Sequence, residues 1–448
     1  MTTVTTQETT VPVRDYSPEE LEELKKQNED IARQEWRTRP DVMKAWPQYL
    51  TIMNTYKCDL ECPMCFKQLD DVFNMSLPDM EWQIFEKAAH ECFPHLRFIN
   101  LSVSGEPLIS RNIFRELELM RKYRVKTDIT TNGMPLARRG LLEALLPACH
   151  ALTVSFDAGT KQSFEYIRKG AHFDTVVKNL KLFNDMRQKL APEERPTFRM
   201  NHVYQHGNAK ELVVLVELAH SIGIDHVNVE HVYVHRDYQE TTSMLNHRRL
   251  ANDMFERAKE RAQQLNIKVK FAPMYDVSDG IPDHPYVPPA GDWMAGEAKK
   301  KNPTKLYRDA VPPPLGALPL AQREGITTNP EFLAMREKSW FIPRAFDYGV
   351  PQFGDSMIPE SAVKYNHCIY PWREAFISFD GEVNPCCSPA LFEAGHMGNL
   401  KQSATFQEVW NGPIYQRLRK SIREGRTYKF CRHCYVVNPE DPESYSLT

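Results

Sequence analysis

YKCDLECPMCFK, residues 56–67, is the stretch whose reading decides the fold. Cys58, Cys62 and Cys65 stand there in a C-x3-C-x2-C spacing, directly after an apolar run that reads as a first strand near 50–56. Three thiols so close together make a compact cup of soft donors, which suits an iron–sulfur cluster or zinc. A closed zinc site wants four ligands. Three thiolates on a four-iron cluster leave one iron open, able to hold and reduce a small molecule. On spacing alone, a structural zinc loop remains the alternative.

The rest of the chain sets the context. Its 448 residues give a soft expectation of two or three domains. Lys+Arg is 56 and Asp+Glu is 59, a formal net charge of −3. That balance lacks the basic footprint of a bulk nucleic-acid binder. Hydrophobic residues are 42% and charged residues 26%, ordinary for a soluble globular protein. No apolar run approaches the ~18 residues of a membrane span. The start, MTTVTTQETTVPVRDYSPEE, has no basic segment followed by an apolar one, so no signal peptide and a cytoplasmic location are expected. Ten cysteines in a reducing compartment are then metal ligands, catalytic groups or core, not disulfides.

From Tyr49 onward, β-branched runs alternate with amphipathic ones. Strands are expected near 50–56, 97–103, 126–131, 150–156, 197–204 and 226–234, and helices near 78–92, 111–123, 137–147, 173–189, 208–222 and 244–265. Such alternation implies βαβ crossovers and a parallel sheet, hence an α/β fold, doubly wound or an open partial barrel. Ahead of it, residues 1–45 read as an extension: a Thr-rich disordered start, then a highly charged helix capped by Ser17 with Pro18 and Glu20. The α/β region covers 46–271. Residues 272–365, rich in Pro, Gly and charge, read as a linker or lid. Residues 366–440 form a small Cys-bearing domain, and 441–448 a tail.

With these residues in view, the chain resembles the radical SAM enzymes, whose signature is C-x3-C-x2-C in the loop after the first barrel strand. The resemblance implies a partial (β/α)6 TIM-type barrel, a [4Fe-4S] cluster on Cys58, Cys62 and Cys65, and S-adenosyl-L-methionine chelated to it. Reductive cleavage of that cofactor gives a 5′-deoxyadenosyl radical that abstracts hydrogen from substrate. Later strand ends agree with the family. Ser104-Gly105-Glu106-Pro107 resembles its GGEP motif, with Ser104 a departure, and would meet the methionyl ammonium. Thr131 and Asn132 lie in a TTNG ending. Ser155 and Asp157 resemble the ribose-contacting pair, Arg168 an arginine that meets the methionyl carboxylate, and Asn201 a further contact. Met64 stands where an aromatic residue often flanks the adenine.

A second group, Cys368, Cys386, Cys387, Cys431 and Cys434, follows near the C-terminus. Asp380-Gly381 ahead of Cys386 is a hairpin signal, and Cys431-x2-Cys434 reads equally as zinc or iron–sulfur on spacing. The group resembles the SPASM auxiliary-cluster domain in its shorter twitch form. That implies a second, auxiliary [4Fe-4S] cluster on Cys368, Cys386, Cys431 and Cys434. Cys387 is left over, as a buried small hydrophobe or as a thiol that gives a hydrogen atom to a substrate radical. Cys92 and Cys149 read as core.

Together these imply oxidation or epimerisation at an unactivated C–H of a small polar natural-product intermediate, sugar- or aminocyclitol-like, with an electron donor such as flavodoxin or ferredoxin. About 45 residues precede the barrel, fewer than the peptide-recognition domain that peptide-maturing relatives carry. A peptide-modifying maturase is the alternative within the family, and a zinc-dependent binding protein the alternative outside it. Glu230 and His231, at the end of the sixth strand, are possible acid–base groups.

Overall fold

Strands alternate with helices from Tyr49 to Phe271 in the computed structural model, which describes residues 14–65, 67, 78–232, 242–286, 368–386 and 397–424. The chain divides into two compact units, one of residues 1–56, 78–128 and 346–448, the other of 57–77 and 129–345. No helix among the described residues is long and apolar enough to cross a membrane.

In the first unit, α1 (Pro18–Thr38) opens on the expected capping box: Ser17 Oγ accepts from Glu20 N at 3.1 Å, and the Glu20 carboxylate accepts from Ser17 N at 2.8 Å. Leu21, Lys25, Asn28, Ala32 and Glu35, three or four residues apart, share its buried face. Lys25 Nζ donates to the carbonyls of Tyr123 and Arg124 at 2.7 and 2.9 Å, closing the end of α3 (Ile113–Lys122). The Glu35 carboxylate accepts from the backbone of Lys44 and Ala45 at 2.9 and 3.0 Å. The helix thus lies on the unit with one buried face and an exposed, charged one. Its buried stripe is largely polar because it answers backbone groups.

β1 (Tyr49–Ile52) lies between two parallel neighbours. It pairs with β2 (Phe98–Asn100), Leu50 opposite Ile99, and β2 with the start of β3 (Lys126–Thr131). Between β1 and β2 runs α2 (Trp82–Cys92), where Cys92 is fully buried as expected of a core cysteine. On the other side β1 pairs with β8 (Glu374–Ile377), Leu50 opposite Ala375. β9 (Glu382–Asn384) returns antiparallel through the expected turn, where Gly381 holds φ +89°, and β10 (Gly398–Asn399) adds to it. The Cys-bearing hairpin is therefore a continuation of the sheet at the β1 edge. Around it stand α9 (Tyr370–Arg373), α10 (Phe406–Trp410) and α11 (Pro413–Arg423), with Trp372 and Trp410 fully buried.

In the second unit, β4 (Cys149–Ser155), β5 (Thr197–Tyr204), β6 (His226–His231) and β7 (Lys268–Phe271) are parallel and in that order. Cys149 is fully buried, again as core. The strands are joined through α5 (Lys161–Ile167), α6 (Phe173–Arg187), α7 (Leu212–Ile222) and α8 (Arg248–Leu265), while α4 (Leu141–Leu145) precedes β4. β7 was not foreseen. Its KVKF pattern is short and exposes both lysines, the charged face of an edge strand. Tyr233, His235 and most of 272–365 lie outside the described residues, as do 1–13 and 441–448.

Candidate functional site

The loop that follows the first strand holds the three cysteines within the second unit. Cys65 N donates to Cys62 O at 3.0 Å, tightening the C-x2-C half into a turn with Met64 at its half-buried tip. Cys58 Sγ accepts from Leu60 N at 3.5 Å. Glu61 N donates to Lys169 O at 2.9 Å, and the Lys169 ammonium meets the Glu61 carboxylate at 2.9 Å, tying the loop to the segment after α5.

Asn132, at the end of β3, reaches this loop. Its Nδ2 donates to Asp59 Oδ1 at 2.5 Å and lies 4.0 Å from Cys58 Sγ. The TTNG turn that aims it depends on Gly133, at φ +82°, where an added Cβ would meet Val176 Cγ1 at 2.8 Å. Thr131 Oγ1 accepts from Gly133 N at 3.1 Å and Asn132 Oδ1 from Met134 N at 2.8 Å, fixing the turn.

Arg168, just past α5, places Nη1 4.0 Å from Cys62 Sγ and Nε 2.5 Å from Asp157 Oδ2. Asp157 is fully buried, and its Oδ1 accepts from Val203 N at 2.7 Å. Ser155 and Asn201 pair across β4 and β5, and Asn201 Oδ1 accepts from Asn228 Nδ2 at 3.0 Å. The structure thus sets Asn132 against Cys58, and Arg168, paired with Asp157, against Cys62.

Among the described residues, no three His, Cys, Asp or Glu side chains gather tightly enough to hold a bare metal ion. The donor chemistry nonetheless fits an iron–sulfur cluster. Burial, helped by Cys65 and Cys58, pushes the Cys62 thiol up to about 12 against the downward pull of Arg168. Lys67 is lowered by its burial, while Cys58, Cys65 and Cys62 all draw it the other way. The three sulfurs share one neighbourhood with a guanidinium and an ammonium, whose charges favour the thiolates against the opposing effect of burial on Cys62 and Cys65.

Burial works against the Arg168 charge, but Asp157 and Cys62 outweigh it and hold the guanidinium above its ordinary value. His231 Nε2 donates to Pro273 O at 2.9 Å, and its Nδ1 lies 3.1 Å from the Tyr275 hydroxyl. Glu230 is exposed.

The Ser104–Pro107 segment is built within the first unit. Gly105 takes φ +78°, and buried Glu106 accepts from Leu108 N at 3.2 Å to start the turn Pro107–Ile109. The Pro107 carbonyl accepts from Asn54 Nδ2 at 3.1 Å, and the same amide donates to Glu116 Oε2 at 2.7 Å. Ser110 donates to Glu116 Oε1 at 2.8 Å. Sequence reading passed over Asn54, Asp59 and Glu116, since nothing in their local pattern distinguishes them from surface polar residues.

Burial pushes the Glu116 carboxyl from 4.5 up to about 7, against the hydrogen bonds of Asn54 and Ser110 and with the help of Asp79. The folded state therefore prefers its protonated form. The stabilisation is complete below about 4.5 and is lost as pH rises through about 7. The difference amounts to roughly 3 kcal/mol. Urea unfolding should show wild type losing this stability between pH 5 and pH 8, with Glu116→Gln flattening the loss. Parallel pH curves for the two proteins would refute the assignment.

Cys368 precedes α9 and Cys386 follows β9, both partly buried. Cys387, Cys431 and Cys434 lie outside the described residues. Residues 368–435, which contain all five, match the SPASM family, an iron–sulfur cluster-binding domain.

The structure resembles SuiB of Streptococcus suis bound to S-adenosylmethionine, with a TM-score of 0.50 and 17% identity, over 94% of this chain and 78% of that one. Residues 368–435 thus match an iron–sulfur domain family, and the chain shares the fold of SuiB. SuiB bound to its precursor peptide SuiA aligns with a TM-score of 0.48 and 16% identity, over 92% and 74% of the two chains. A tungsten-containing aldehyde ferredoxin oxidoreductase cofactor-modifying protein of Pyrococcus furiosus is 25% identical over 184 residues, 40% of this chain. That match spans 49%, about half, of the relative's length.

Proposed function

We propose that this protein is a radical SAM enzyme that removes a hydrogen atom from an unactivated C–H of a small polar molecule, leading to oxidation or epimerisation. The observation that carries the reading is the loop of Cys58, Cys62 and Cys65, with Arg168 against Cys62 and Asn132 against Cys58. In this reading the three thiolates hold a [4Fe-4S] cluster. When bound, that cluster and S-adenosyl-L-methionine supply one-electron cleavage of the cofactor and a carbon radical.

The chain's own residues bind and orient. The Ser104–Pro107 turn offers backbone and the Glu106 carboxylate to an ammonium group, a role its resemblance to GGEP supports. Arg168 offers a guanidinium to a carboxylate, Ser155 and Asn201 offer polar groups to a ribose, and Met64 offers a flexible apolar side chain to an adenine. The SPASM match over Cys368, Cys386, Cys431 and Cys434 supports an auxiliary cluster on those four, suited to accepting an electron from the substrate. Cys387 stands beside that set, as core or as hydrogen donor. The electron comes from a reductant such as flavodoxin or ferredoxin. The cofactor-modifying name of the P. furiosus relative supports a small-molecule substrate.

The test is anaerobic incubation of the reconstituted full chain with S-adenosyl-L-methionine and dithionite. 5′-Deoxyadenosine should form above a heat-treated control. Deuterium from labelled sugars or aminocyclitols should appear in it. Deuterium from labelled peptides alone would replace the small-molecule reading with peptide modification, and no cleavage at all would overturn the enzyme.

A further inference from the structure

Asp157 resembles one member of a ribose-contacting pair, and it is also held within the unit. It is fully buried, and both carboxylate oxygens are engaged inside the unit. Oδ1 accepts from Val203 N at 2.7 Å, which fixes the carboxylate to β5. Oδ2 meets Arg168 Nε at 2.5 Å. The far side of the same guanidinium, Nη1, lies 4.0 Å from Cys62 Sγ. Arg168 caps the end of α5 through its backbone N–H to Phe164 O at 2.7 Å, so backbone and side chain are both held. His202 faces the same carboxylate. Its Nδ1 lies 3.1 Å from Phe156 O, and burial lowers its proton affinity, so it does not compete with Arg168 as a cation.

We propose that Asp157 is a positioning residue that holds the Arg168 guanidinium against Cys62 and so raises the reduction potential of the cluster at Cys58, Cys62 and Cys65. The proposal rests on the reading of that loop as a cluster site. The physics is that of an outer-shell partner. Cations and N–H donors directed at a ligand sulfur stabilise the more negative, reduced cluster and lift its potential. A buried guanidinium without its carboxylate is costly and leaves for solvent when it can.

The sign of one substitution separates positioning from simple charge. Asp157→Asn keeps an oxygen for Val203 N–H and removes a negative charge. If Asp157 acted only through its charge, the potential would rise. If it positions Arg168, the guanidinium swings away and the potential falls.

The experiment is an EPR-monitored redox titration of the anaerobically reconstituted full chain, following the reduced-cluster signal that S-adenosyl-L-methionine alters. The set is wild type, Asp157→Asn, Arg168→Gln and the double variant. Both single variants should shift the midpoint to lower potential, and the double should go no lower than Arg168→Gln alone. An unchanged or raised midpoint in Asp157→Asn, or additive shifts in the double, would overturn the proposal. Should Asp157→Asn fail to fold, Arg168→Lys decides. It keeps the charge but loses the planar fork, so its midpoint should also fall, and an unchanged midpoint overturns the proposal. A wild-type chain with no signal responsive to the cofactor removes the cluster reading and this proposal together. A responsive wild-type signal with an unmoved Asp157→Asn removes this proposal alone.

Discussion

Replacing Cys62 by alanine should abolish 5′-deoxyadenosine formation and lower iron by about four per chain. Of the three loop thiols Cys62 is the buried one, 7% exposed, and it is the sulfur that Arg168 approaches. On the proposed reading its removal takes away one of three cluster ligands, and two thiols would not retain a four-iron cluster with an open iron. The loss should fall to the detection limit, not to a fraction of wild type, because no neighbouring group replaces a thiolate. Cys92→Ala is the matched control. Cys92 is fully buried on α2 in the other unit, and its loss costs stability but not cleavage. Equal cofactor cleavage by Cys62→Ala and wild type would sink the assignment.

Arg419→Ala should destabilise the first unit by about 3 kcal/mol or more. Arg419, on α11, is fully buried. Its guanidinium donates to the carbonyls of Pro371 and Asp41 at 2.8 and 3.1 Å and lies over the rings of Trp410 and Tyr415 at 4.3 and 4.8 Å. One side chain thus ties the segment after α1 to α9, α10 and α11. Its removal leaves the buried Pro371 carbonyl and the half-buried Asp41 carbonyl without that donor, and a cavity beside two aromatic rings. Arg419→Lys should recover little, since an ammonium lacks the fork and the flat face. Thermal unfolding followed by tryptophan fluorescence reads this directly through Trp372 and Trp410, and a melting temperature unchanged from wild type would show that the contacts contribute nothing net.

Much of this was legible in residues alone. The strand–helix alternation placed six parallel strands to within a few residues, because each strand is a short β-branched run and each helix has a clear apolar stripe. The Ser17 cap was readable because the capping box is local chemistry. What escaped was non-local. α1 reads as a charged extension because Lys25, Asn28 and Glu35 are polar, yet each answers backbone groups beyond the helix, those met by Lys25 and Asn28 far off in sequence. β8 joins β1 across more than 300 residues of chain, a pairing no local pattern announces. The cysteine loop and TTNG declared themselves by spacing. The use of Asp157 did not, because the same Ser-x-Asp pattern serves a ligand or an internal ion pair, and only burial distinguishes them.

The most direct test of the central claim is iron, sulfide and zinc per chain after anaerobic reconstitution, in wild type and in the Cys58→Ala/Cys62→Ala/Cys65→Ala triple variant. The account predicts about eight irons with matching sulfide in wild type and about four in the triple variant, with cofactor cleavage only in the former. Zinc in place of iron, or equal iron in the two proteins, would contradict it.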